Sequence, residues 1–391
     1  MSGAIQPCVL GVGQIPMRTR LPDYTYADLV GKVSRLALQD AGIDDEDIDG
    51  VVFAQAPTTT LGIDEPHMWA LAELPGSRHF LGRVHIAAGS GLAAFRLACA
   101  YVAAERKRRV LVVAADLADE VPNLAGAIGQ LHDPFTERQV TRNAITLAAV
   151  QMSAYMARHR LNERDMAHVI VKNRINGVDN EFAQLRKPVT LDEVVESPVI
   201  AWPIKRLDSS PRTSGAAAVV VGDVPLSGRR PTPKACGFGF YAGSRMTGAR
   251  MVPEHDDYIA GTDAREAARR AYKASGITRP ESEIGFAEIY ASFGIIEILG
   301  IEALDVCDGV PAPLLLRDGA FQRSSRLPIN PSGGATCGNP ISATGLIRVI
   351  EAALQLRGEA GVRQVELNAP RAVVSAIGGA FQTHEVGVIG L

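Results

Sequence analysis

The side chains able to do covalent chemistry are few and scattered. Five cysteines, Cys8, Cys99, Cys236, Cys307 and Cys337, are odd in number, and no two share C-x-x-C spacing. That pattern supplies neither a zinc site nor a disulfide framework. Ser90 sits in Gly89-Ser90-Gly91 at the start of an apolar stretch. There a helix dipole and backbone N–H groups would favour an oxyanion. Yet Ala88-Gly89-Ser90-Gly91-Leu92 does not fit the Gly-x-Ser-x-Gly elbow, and no histidine is assignable as its base. A small residue that caps and packs the helix start accounts for Ser90 equally well. His85 stands just before this turn, where it would face the pocket or a dimer partner, and His384 follows Gly378-Gly379, at the pocket rim or paired in the final strand region; a structural role is the favoured reading of each. No metal site is expected.

Composition narrows the partners. The 391 residues carry 40 Lys and Arg against 43 Asp and Glu, a net charge of −3, with 47% apolar residues. Nothing here attracts nucleic acid or an acidic membrane, and no run of about 18 apolar residues predicts a span. The N-terminal MSGAIQPCVLGVGQIP has no basic start and is broken by Gly and Pro, so it reads as a strand and turn rather than a signal peptide. A cytoplasmic, reducing-compartment protein is expected.

The elements that must position these residues come in two copies. Residues 36–56, LALQDAGIDDEDIDGVVFAQA, and 271–291, AYKASGITRPESEIGFAEIYA, each give a helix end, a Gly-Ile break (Gly42-Ile43, Gly276-Ile277), an acidic turn and a buried strand. Residues 84–116 then give a strand, a Gly/Ser turn, a long apolar helix and a strand. INPSGGATCGNPISATGLIRVIEAALQLRG (329–358), with AVVSAIGG (372–379), repeats that order. Two echoes in one sequence predict a duplicated α/β body. The helices at 90–108 and 341–356 are apolar on most faces, which predicts burial on all sides. Packed together between two sheets, they imply layers of helix, sheet, helix, sheet, helix. Between the copies, helical segments at 142–161 and 163–176 and a polar loop read as an insertion over a site. Residues 222–234, rich in Pro, Gly and basic residues, read as a linker.

VKNRINGVDNEFAQLRKPVTLDEVVESPVIAWPIKRLDSSPRTSGAAAVVV (171–221) resembles the loop domain and following strand of sterol-carrier-protein-type thiolases. NPSGGATCGNPISATG (330–345) is similar to the thiolase signature Asn-Pro-x-Gly-Gly…Gly-His-Pro-x-Gly-Ala-Thr-Gly. The resemblance implies a duplicated thiolase fold, five-layered α-β-α-β-α with an inserted loop domain. It divides the chain into an N-terminal half (1–120 with 196–222), a loop domain (121–195) and a C-terminal half (230–391).

It also implies where the site lies, and that its reactive groups are gone. Ala88 stands at the position of the nucleophilic cysteine. Tyr290-Ala291-Ser292-Phe293 matches the His-Asp-Cys-Phe loop, with Tyr290 for the histidine and Ser292 for the second cysteine. Asn339 replaces the Gly-His-Pro histidine, and Gly378-Gly379 keeps the last loop. An alanine cannot attack and an asparagine cannot take a thiol proton, so cysteine-dependent thiolysis is excluded. Backbone N–H groups at Ala88 and Gly378 are expected to form an oxyanion hole. Asn339 and Tyr290 are expected to donate to a carbonyl, with Tyr290 an acid/base if neighbours lower its pKa. Thiolase-like proteins that shorten steroid side chains share the missing nucleophile and the tyrosine. They cleave β-hydroxyacyl-CoA by retro-aldol chemistry with a small OB-fold, zinc-ribbon partner.

A C–C lyase is therefore the first expectation. A degenerate acyl-CoA-binding or scaffold protein, and residual acyl transfer through Ser90 or Cys337, stand beside it. No cofactor is expected to be bound permanently; coenzyme A would enter as part of the substrate. Arg186, Lys187, Lys205 and Arg206 (with Lys172 and Arg174) are candidates for its phosphates, and a homodimer is the family expectation.

Overall fold

The computed structural model describes residues 5–56, 65–104, 108–139, 141, 143–223, 230–243 and 259–391. The chain begins with strand β1 (Cys8–Gln14), helix α1 (Tyr26–Ala41), β2 (Gly50–Ala54), β3 (Leu81–Val84), α2 (Ser90–Ala103) and β4 (Arg109–Asp116). Helices α3 (Leu124–Gly129), α4 (Ala144–His159), α5 (Glu163–Gly177) and α6 (Leu191–Glu196) follow, then a hairpin of β5 (Val199–Ala201) and β6 (Ile204–Lys205). Strand β7 (Gly215–Gly222) returns to the first sheet. The second copy holds β8 (Lys234–Ala242), α7 (Thr262–Ser275), β9 (Phe286–Glu288), α8 (Gly294–Ala303), α9 (Ala312–Arg317), α10 (Thr344–Arg357), β10 (Arg371–Gly378) and β11 (Thr383–Gly390). Part of the expected linker, residues 224–229, lies outside the described residues.

Strand order carries the duplication. The nine-stranded sheet runs β3-β2-β4-β7-β1-β8-β11-β10-β9. In the first copy β3, β2 and β4 are parallel, and β7 and β1 follow antiparallel. In the second, β9 and β10 are parallel, and β11 and β8 follow antiparallel. Ile329, bridged in parallel to Ala287, occupies the place of β3. The copies join where Cys8 pairs with Lys234.

The repeated Gly-Ile breaks are matched helix ends. Gly42 (φ 65°) and Gly276 (φ 71°) are left-handed C-caps of α1 and α7. Ile43 N–H donates to Leu38 O, and Ile277 N–H to Tyr272 O, the same bond in both copies.

Apolar runs such as Val110–Ala115 and Ala216–Val221 are buried throughout, as strands covered on both faces require. Leu92 and Phe95 of α2 and Leu346, Val349 and Ile350 of α10 share one core with Val112 and Val219 of one copy and Phe286 and Val374 of the other. Helix α1 covers the outer face of the first copy, α7 that of the second. The order is thus helix, sheet, paired helices, sheet, helix. The paired helices touch at matching glycines. A Cβ on Gly91 would stand 2.6 Å from Leu346 N, and one on Gly345 2.7 Å from Leu92 N. The two backbones therefore need glycine there.

Candidate functional site

Strand β9 is too short to hold its C-terminal loop alone, and buried polar groups fix it. Glu288, fully buried, is ion-paired with Arg348 and accepts from Ser332 N–H and Oγ, both at 2.9 Å. Burial pushes its carboxyl upward, opposed by Arg348. Asn330, left-handed at φ 52°, accepts from Ile289 N–H at 2.8 Å. Tyr290 N–H donates to Ser375 Oγ at 3.1 Å. On the other copy, Asp116 ends β4 and accepts from Ser342 N–H (2.9 Å), Ser342 Oγ (2.7 Å) and Ala343 N–H (3.0 Å). A buried carboxylate thus caps the start of α10, where orphan N–H groups and the helix dipole favour an anion.

These supports place Tyr290, Ser292, Asn339 and Ala88 around one cavity of about 360 Å³. Asn339 is held on every side. Its N–H donates to Thr213 Oγ1 (3.0 Å), its Nδ2 to Ser210 Oγ (3.1 Å) and Tyr290 Oη (3.4 Å), and Thr344 Oγ1 donates to its Oδ1 (2.8 Å). Both amide hydrogens are committed within the protein, unlike the expected donation to a substrate carbonyl. The amide instead donates to Tyr290 Oη. Tyr290 is 5% exposed. Burial raises its pKa, outweighing hydrogen bonds with Asn339 and Ser292. The lowering by neighbours on which a base role was conditioned is overridden by burial, which favours the neutral phenol.

Ala87, at φ 53°, is a non-glycine residue in the left-handed region, and it turns the chain so that Ala88 lines the cavity. The Gly378 loop abuts this turn, since a Cβ on Gly378 would stand 2.5 Å from Ile86 O. Gly378 itself lies behind the wall, and Gly379 (φ 62°) lines it. Leu124, Ile128, Leu131, Ile145, Ile341 and Phe381 make the rest of the wall largely apolar.

Other expected residues stand elsewhere. Ser90 is fully buried; its Oγ donates to Gln55 O (2.7 Å) or Ala87 O (2.6 Å) and accepts from Ile86 N–H (3.0 Å). It closes the turn and is absent from the cavity wall. Cys337 is 1% exposed, its Sγ donating to Asn173 O at 3.3 Å, and burial pushes its thiol up to about 12. It packs against Gly177 of α5, so neither residue is placed to attack a bound thioester. His85 is exposed and His384 half-buried, opposite Ile377 in the β10–β11 pair; neither lines the cavity.

Lys205, expected at a CoA phosphate, is engaged within the protein. It is buried, ion-paired with Glu163, and its Nζ donates to Val195 O. Lys172 likewise pairs with buried Glu297 at 2.9 Å. Arg186, Lys187 and Arg206 are exposed, and Arg186 Nε donates to Val178 O (3.2 Å). Sequence reasoning missed Ser210, Thr213, Thr344 and Asp116. The one visible signal was an acid closing the apolar run VLVVAAD. Among the described residues, no group of three or more His, Cys, Asp or Glu side chains is arranged to hold a metal, and no helix is long and apolar enough to cross a membrane.

Comparison with known proteins agrees with this architecture. Residues 244–391 match the family described as Thiolase C-terminal domain-like. The chain is 30% identical to an acetyl-CoA acetyltransferase of Methanothermobacter thermautotrophicus, over 97% of this chain and 98% of the relative. It is 34% identical to Sterol carrier protein 2 of Bos taurus, over 54% of this chain and 39% of that protein. A solved structure described as an Ltp2-ChsH2(DUF35) aldolase superposes with a TM-score of 0.81 at 21% identity, covering 98% of this chain and 97% of the other. With a relative at this identity over nearly its whole length, and the paired strand order that the duplication predicts, the chain belongs to the thiolase family.

Proposed function

We propose that this protein is a carbon–carbon lyase that cleaves a β-hydroxyacyl-CoA by a retro-aldol route, without a covalent intermediate. One observation carries the reading. A buried phenol, Tyr290, positioned by Asn339 and Ser292, faces a largely apolar cavity whose wall holds Ala88 and no thiol. Loss of the β-hydroxyl proton turns Cβ–O into a carbonyl and breaks Cα–Cβ. The bonding pair passes into the thioester enolate. Tyr290, with backbone N–H groups of the Ala88 and Gly378–Gly379 turns, stabilises that enolate oxygen, and Cα is then protonated. Coenzyme A enters as part of the substrate. The apolar wall suits a hydrocarbon acyl group, and residues 121–195 act as the loop domain that roofs it.

That a fold neighbour is described as an aldolase solved with a DUF35 protein supports this reading. With it goes the expectation of a small OB-fold, zinc-ribbon partner and a homodimer. Acyl-CoA binding without turnover is the second reading, favoured by the committed amide of Asn339.

The purified protein, with and without its genomic neighbours, should release a ketone or aldehyde from β-hydroxyacyl-CoA. Tyr290→Phe should lower kcat about 10²–10³-fold with the fold retained. Absence of carbonyl release, or turnover unaffected by Tyr290→Phe, overturns the lyase reading; acyl-CoA binding by calorimetry would then favour the second.

A further inference from the structure

Proton removal from the β-hydroxyl is the step for which the cavity wall shows no agent. Its ionisable side chains, among the described residues, are Arg212 and Tyr290. Arg212 donates to the carbonyls of Ala118 (2.7 Å) and Val121, and Tyr290 is held as a phenol.

An imidazole stands next to the wall. His132 follows Leu131, a wall residue, and is 2% exposed. Its Nδ1 lies 4.0 Å from Glu137 Oε2 and 3.4 Å from Thr141 Oγ1, while Nε2 is buried with no hydrogen-bond partner. The turn around it is braced. Arg138 Nε donates to His132 O at 3.0 Å, Asp133 N–H to Glu137 Oε2 at 3.2 Å, and Thr141 N–H to Glu137 O at 2.8 Å. A buried ring nitrogen without a partner carries an uncompensated desolvation penalty, and such exceptions in a well-satisfied interior call for a reason. In the tautomer that carries its hydrogen on Nδ1, facing Thr141 Oγ1 and the Glu137 carboxylate, the Nε2 lone pair is unengaged, and such an imidazole is built to accept a proton. Burial holds the imidazole pKa below its usual value against the opposing pull of Glu137, so the ring is neutral near pH 7.

We infer that His132, oriented by Glu137, takes the β-hydroxyl proton through one bridging water and so starts carbon–carbon cleavage. This rests on the lyase reading above. The hydroxyl proton ends on Nε2, the O–H pair becomes the new carbonyl, and the Cα–Cβ pair becomes the enolate. Cα recovers a proton from Tyr290, which the imidazolium reprotonates through solvent. No oxidant, reductant or further reactant is needed.

The test is steady-state cleavage of a β-hydroxyacyl-CoA by wild type, His132→Gln, His132→Ala and Glu137→Gln, each checked for an unchanged thermal melt. His132→Gln keeps most of the volume should the alanine variant not fold. The expected result is a kcat loss of about 10²-fold or more for both His132 variants at nearly constant KM. Added imidazole should partly restore His132→Ala, and Glu137→Gln should lose less. Cleavage within threefold of wild type in His132→Gln overturns the inference and leaves the lyase reading standing. So does a loss that appears in KM and is not rescued by imidazole, since a structural role produces that. A wild type that cleaves nothing overturns the lyase reading and this inference with it.

Discussion

Tyr290 keeps its proton because the same burial that shields the cavity penalises a phenolate, and neutral hydrogen bonds with Asn339 and Ser292 do not repay that penalty. The consequence is a pH profile. A catalytic phenol with a raised pKa should show no alkaline loss of kcat from pH 8 to about 9.5, since even an unperturbed phenol titrates near 10. A limb below pH 9 in stopped assays would contradict the protonated role. Ser90 behaves oppositely, as a residue whose chemistry is used up by structure. Ser90→Ala should leave Ile86 N–H without its partner and cost about 1–3 kcal/mol in urea unfolding. Intact-mass measurement after incubation with acyl-CoA should show no adduct on Ser90 or Cys337 in the wild type.

The elements explain why the loops hold their geometry. Helix α10 begins on Asp116, a carboxylate from the other copy, so the loop bearing Asn339 is tied to β4 as well as to its own half. Asp116→Ala should strand the N–H groups of Ser342 and Ala343 in the interior. Stability should fall by at least about 2 kcal/mol, with activity lost in parallel, as denaturant titration and the cleavage assay would show. Asp116→Asn, which keeps an acceptor, should lose less. The repeat made α1, α7 and the two buried helices legible, because periodicity and Gly-Ile breaks are local signals. The partners of Asn339 were not, because Ser210, Thr213 and Thr344 approach from separate segments and no spacing in the chain records that. The ion pair of Lys205 with Glu163 was hidden for the same reason, being invisible from Arg186-Lys187 and Lys205-Arg206 alone.

At the scale of the whole molecule, the two copies are joined by the β1–β8 step, the glycine crossing of α2 and α10, the Asp116 cap on α10, and ion pairs that include Arg357–Asp40 and Arg96–Glu385. Glu385 of β11 meets Arg96 of α2; the carboxylate is almost fully enclosed, and burial pushes its pKa up to about 7. A carboxyl whose folded pKa lies above its unfolded value binds its proton more tightly when folded. Stability is therefore full below the unfolded pKa, near 4.5, and declines as pH rises towards 7. The decline should be on the order of 2–3 kcal/mol between pH 4.5 and 8. Glu385→Gln should flatten it, read as Tm against pH; an unchanged slope would contradict the assignment. The duplicated body was legible from sequence as a pattern. The join at Cys8 and Lys234 and the Glu385–Arg96 pair were not, since both depend on how the copies face each other.

The proposed reaction is cleavage of a carbon–carbon bond by Tyr290 and its neighbours, where no thiol is placed to attack. Its most direct measurement is a single-turnover reaction with a β-hydroxyacyl-CoA, following carbonyl product, shortened acyl-CoA and protein mass together. Equal release of both products, no mass change on the protein, and loss of both products in Tyr290→Phe are expected. A persistent acyl adduct, or an intact substrate bound without cleavage, would contradict it.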